Sequence, residues 1–124
     1  MIETAINTIV STPLAALTPA VPFYWGIVPS NVDEYVSLSG VYDSLNQDDD
    51  GSDDKQFNIV TKSGMVRARE IDAKLKYELQ RYKGNVGGVK ISSITHTRGV
   101  ELPNADTGES IIAAEYHFNY EGGL

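Results

Sequence analysis

The sequence predicts a single small α+β domain over residues 1–124: a mostly antiparallel or mixed sheet of four to five strands with two helices packed on one side. Three observations carry this. Ala68, Ile71, Leu75, Leu79 and Tyr82 recur at steps of three and four, which marks one apolar helix face between Ser63 and Gly84. Strict alternation in Tyr35–Tyr42 and from Glu109 onward, where Ile112, Ala114, Tyr116, Phe118 and Tyr120 share a side, marks strands. A chain of 124 residues can bury one sizeable core but not two ordinary ones.

Taken in order, Ile2, Ala5, Ile6 and Ile9 have helical spacing and predict an N-terminal helix of about ten residues. Pro13 interrupts it, with Thr12 placed to cap a further turn that Pro19 ends. The aromatic and β-branched residues of Val21–Val28 suit a strand, and Pro22 and Pro29 assign it to a sheet edge. In Tyr35–Tyr42, Val36, Leu38 and Gly40 face one way and Tyr35, Ser37 and Ser39 the other. A third strand, Phe57–Thr61, pairs antiparallel with it.

Residues 43–55 join these strands as an acidic loop. The density of like charge in Asp48-Asp49-Asp50-Gly51-Ser52-Asp53-Asp54 predicts solvation rather than packing. Aligned on Gly51, the run resembles part of a calcium loop, with Asp48, Asp50 and Asp54 as candidate ligands. The final bidentate position falls on Phe57, so the decisive ligand is missing.

For the long helix, Ser63 is placed to cap the start and Gly84 to end it in a left-handed conformation. Glu70 with Lys74 and Asp72 with Lys76 have ion-pair spacing. Gly84-Asn85-Val86-Gly87-Gly88 follows a helix, whereas a phosphate loop precedes one, and is read as a turn. Val89, Ile91 and Ser93 then share one face of a strand. Residues 99–109 carry the turn chemistry of Pro103-Asn104 and Asp106-Thr107-Gly108 before the last strand.

With 41% hydrophobic and 22% charged residues, the composition is that of a globular chain. The absence of cysteine excludes disulfides, thiolate metal sites and cysteine nucleophiles together. Glu3 stands where a secretory leader would carry bases, and four prolines break the uncharged stretch between Thr4 and Val32, so neither a leader nor a membrane span is expected.

The net charge of −7 is unevenly spread: all 10 Lys and Arg residues lie between Lys55 and Arg98. Residues 1–54 hold nine acids and no base, the middle segment stands at +7 and the remainder at −5. A solvated helix face is the simplest reading. Copies meeting acidic surface to basic surface in a head-to-tail ring is the sharper one, with Arg67, Arg69, Lys74, Lys76 and Arg81 as candidate contact residues.

Neither His96 nor His117 sits in a metal or triad pattern, and His117 falls on the solvent side of its strand. No catalytic residue, cofactor or resident metal is therefore expected. Bases with Tyr77 and Tyr82 on the helix hint at nucleic acid, against which stands the acidic total.

The order of elements, together with QFNIVTKSGMVRAREIDAKLKYELQ and THTRGVELPNADTGESIIAAEYHFNY, resembles the tail-terminator or tail-completion proteins of long-tailed bacteriophages. The resemblance implies a virion structural protein at the head–tail junction, assembled in the host cytoplasm and without enzyme activity. It further implies a hexameric ring that caps the tail tube, contacts the head connector and lets DNA pass without sequence-specific binding. Another neck ring, such as a stopper or head-completion protein, fits the same pattern. From a different class, a small calcium- or ligand-binding module remains open, and solution mass with electron microscopy separates the two.

Overall fold

The computed structural model describes residues 2–40, 50–104 and 106–122. Two helices and six strands alternate as α1 (Ile2–Ala15), β1 (Phe23–Trp25), β2 (Glu34–Gly40), β3 (Asp50–Thr61), α2 (Met65–Gln80), β4 (Gly84–Val86), β5 (Val89–Asn104) and β6 (Glu109–Gly122). The strands form one mixed sheet in the order β1-β2-β3-β6-β5-β4. β1 runs parallel to β2 and every other pair is antiparallel. Six strands replace the expected four to five, because the glycine-rich stretch after α2 is itself a hairpin. Val86 pairs with Val89 across Gly87 and Gly88, whose φ angles of 56° and 82° supply the left-handed pair that a two-residue turn needs.

Both helices lie on one face of the sheet. Ala68, Ile71, Leu75 and Leu79 of α2 and Ile6, Val10 and Leu14 of α1 are fully buried against Val36, Phe57, Ile59, Ile112, Ala114, Tyr116 and Phe118. The stripe read from periodicity is thus the core, with Tyr82 packed at its margin. Phe57 is its hub, with the ring of Tyr116 edge-on at 5.4 Å and Phe23 and Phe118 tilted against it.

Helix boundaries differ from those the cap residues suggest. α1 continues through Pro13 to Ala15, since burying Val10 and Leu14 one turn apart keeps the last turn in line. α2 starts after Gly64 at φ 98° with no side-chain cap, and the Ser63 amide is turned back to donate to Thr61 Oγ1. The helix ends at Gln80, before Gly84, which opens β4 instead.

The largest departures concern the loops. Of the acidic loop expected over residues 43–55, residues 50–55 are strand, paired along β6 from Asp50↔Glu121 to Lys55↔Tyr116; residues 43–49 lie outside the described residues. Of the long turn expected over 99–109, residues 99–104 extend β5, paired to β6 as far as Asn104↔Glu109. Register shifts after Ile91 and after His96 account for a further difference. The first turns Ile94 into the core, 4% exposed, where simple alternation would place Ser93.

Candidate functional site: the charged helix face and the open sheet face

The basic residues of α2 are largely engaged within the chain. Arg67 is nearly buried. Its Nε and Nη2 donate to the two oxygens of Glu34 on β2 at 3.0 and 2.9 Å, Nη2 also reaches the Pro19 carbonyl at 2.7 Å, and Nη1 contacts Glu70. Thr61 Oγ1 donates to the same Glu34 carboxylate at 2.7 Å. Hydrogen bonding by Arg67 holds the Glu34 carboxyl below its ordinary range, and Glu34 in turn raises the Arg67 guanidinium above its own. This network ties the start of α2 to the start of β2 and to the α1–β1 connection.

Arg69 makes a two-pronged pair with Glu101 of β5, at 2.6 and 2.8 Å, in an exposed setting. Lys74 and Arg81 both reach Glu78, at 3.6 and 3.0 Å, and the Arg81 guanidinium lies over the Tyr77 ring at 5.1 Å. Lys74 therefore pairs forward with Glu78, because Glu70 is taken by Arg67. Among the described residues Lys76, Lys83, Lys90 and Arg98 have no carboxylate within ion-pair distance.

Two further clusters were hidden from sequence. Lys55, expected in a solvated loop, is 3% exposed; its ammonium donates to Glu3 of α1 at 2.8 Å and stands 3.7 Å from Asp53, itself 5% exposed. Tyr120 donates its hydroxyl to Asp53 at 3.2 Å. Like charge can pack here because one buried cation sits between two carboxylates. Burial pushes the Glu3 carboxyl up, yet the hydrogen bond and charge of Lys55, with a backbone hydrogen bond, together outweigh it and the net shift is downward. On α2 itself, Asp72 is raised by desolvation, with Oδ1 lacking a hydrogen-bond partner among the described residues. His96 packs edge-on to Tyr116 at 5.1 Å and is lowered by burial and by Lys76.

Of the candidate calcium ligands, Asp48 lies outside the described residues, Asp50 opens β3, and Asp54 faces His117 across the sheet with Oδ1 2.7 Å from Nδ1. No group of three or more metal-ligating side chains occurs among the described residues. None of the described helices is long and apolar enough to cross a membrane.

The sheet face opposite the helices is divided. The register places Leu102, Ile111, Val60 and Tyr35 side by side across β5, β6, β3 and β2, and the Tyr24 ring of β1 meets Tyr35 edge-on at 6.2 Å. Val60 is 5% exposed although no helix covers this face, so the row packs on itself. The next row holds Val100 and Ala113 beside Asn58 and Ser37, and further along the face turns polar with Glu115, Arg98, His117 and Asp54. Period-2 alternation could have flagged this row. It was hidden because residues 99–104 read as a turn.

No protein-family model matches the chain, and no curated protein sequence does. Among solved structures, a chain of the virion of a native gene transfer agent particle superposes with a TM-score of 0.71, covering 97% of this chain and 97% of that one at 15% identity. A second solved structure superposes with a TM-score of 0.61 at 18% identity, covering 99% of this chain and 95% of that one. At such identities the likeness is one of fold, and it extends over essentially the whole of both chains.

Proposed function

We propose that this chain is a structural protein of a phage-like virion, a ring-forming tail terminator that caps the tail tube and joins it to the head connector. The observation that carries the virion role is the fold shared, end to end, with a chain of a gene transfer agent virion. The terminator assignment rests on the resemblance of element order and sequence stretches given above. A ring subunit must offer unlike surfaces to its two neighbours, and the basic middle between acidic segments is suited to that. In this reading the protein works by position alone, without catalysis or cofactor, and acidic residues facing the ring's lumen repel the phosphates of passing DNA.

Mixing the purified protein with isolated tail tubes tests the proposal. Negative-stain images should show six-fold rings seated on tube ends, and scattering should give the matching mass. Rings that bind head connectors but not tubes would reassign the chain to a stopper or head-completion role. A persistent monomer that binds neither would overturn the proposal.

A further inference from the structure

The six-stranded sheet ends in two open edges. On one side β1 offers the outer edge of Phe23–Trp25. On the other, β4 covers β5 only as far as Ile91, and residues 92–104 have no strand on their outer side among the described residues. Long open edges invite strand addition, and a chain that stays monomeric protects them with charge, proline or a covering element. Residues 92–104 of β5 carry Arg98, Glu101 and Pro103, and Gln80 accepts from the His96 amide, yet the strand also exposes Val100 and Leu102, at 38% and 48%, and β1 ends in Trp25 at 50%, followed by Ile27 at 94%. Val100 and Leu102 lie on the helix-free face at one edge, and Trp25, opposite Leu38, lies on the helix side at the other, with Ile27 just beyond the strand.

The apolar row on the helix-free face joins these edges. It starts at Leu102 beside the β5 edge and runs through Val60 to Tyr24 beside the β1 edge. Joining β1 of one copy to β5 of the next would therefore set Tyr24 beside Leu102 and continue both the sheet and the apolar row.

We infer that a second copy of this chain docks its β1 edge, Phe23–Trp25, onto the open edge of β5 at Val100 and Leu102, with Tyr24 on the helix-free face beside Leu102. The contact is heterologous, since each copy uses a different edge toward each neighbour, and repetition builds a ring. It rests on the ring reading above and specifies the surfaces that such a ring would join.

The chain contains no cysteine and a single tryptophan, which makes the test clean. Full-length Tyr24→Cys and Leu102→Cys chains, distinguishable by mass, are treated with a short bis-maleimide separately and mixed, with and without tail tubes. The expected result is a linked dimer in the mixture and not in either chain alone, together with a blue shift of Trp25 emission on assembly. Leu102→Asp, shown to be folded by circular dichroism, should lose both assembly and the emission shift. Absence of the mixed product, or self-linking of Leu102→Cys alone, overturns the inference, the latter in favour of a symmetric dimer. Rings that form without the mixed link leave the terminator reading standing and remove this contact. The mixed link without rings on tubes does the reverse.

Discussion

Lys55 illustrates how far one side chain can decide the packing of a segment. Its ammonium holds the acids of α1 and β3 together in a nearly dry site, where removing one partner strands the others. Lys55→Met should destabilise the fold by about 3–5 kcal/mol, read from denaturant unfolding, because Glu3 and Asp53 are left facing each other. Replacing Arg69 with Ala, by contrast, should leave the unfolding midpoint nearly unchanged, since its pair with Glu101 is open to solvent and screened. The ionisations of Glu34 and Asp72 pull in opposite directions. The folded-state pKa of Glu34 is depressed, so its contribution is present above the ordinary value of 4.5 and is lost as pH falls through the folded value. That of Asp72 is raised, so its contribution is present below 3.8 and is lost as pH rises through the folded value. Asp72→Asn should therefore raise the melting temperature at pH 7, and the gain should vanish below about pH 4. A variant that melts lower than the parent at pH 7 would show that attraction to Lys76 outweighs desolvation.

At the scale of elements, α2 and β6 organise the rest. β6 is paired along its length on both sides, and α2 lies across the core that β3, β5 and β6 present. Leu75 sits at the middle of the helix stripe and is 1% exposed. Leu75→Asp should abolish the cooperative thermal transition by burying an unpaired charge, and retention of a native-like melt would overturn the helix register. The two register shifts of β5 let one strand serve two purposes, turning Ile94 into the core while sending Val100 and Leu102 to the open face.

At the scale of the whole molecule, the charge distribution looks different once the fold is known. Arg67 and Arg69 tie α2 to β2 and β5, and Lys74 and Arg81 pair with Glu78 of α2 itself, so most of the helix's positive charge is neutralised within the chain. Assembly through the sheet edges should then be only weakly sensitive to salt, because the contact is apolar and made by backbone hydrogen bonds. Rings that dissolve between 0.1 and 1 M salt, where the screening length falls from about 10 to about 3 Å, would instead restore the helix face as the contact.

The sequence by itself determined the α+β class, the stripe of α2, the faces of β2 and β6 and the edge position of β1. Each of these follows from a period of about 3.6 or 2 residues, or from the prolines that flank the element, and needs no knowledge of its neighbours. Only the tertiary structure decided that Lys55 and Asp53 are buried, that Arg67 and Arg69 are engaged, and that residues 50–55 and 99–104 are strand. Those outcomes depend on partners far along the chain: 52 residues separate Glu3 from Lys55, 33 separate Glu34 from Arg67 and 32 separate Arg69 from Glu101. A local pattern records what a residue prefers alone, while a charge is buried or a strand prolonged only when a distant segment supplies the matching carboxylate or backbone.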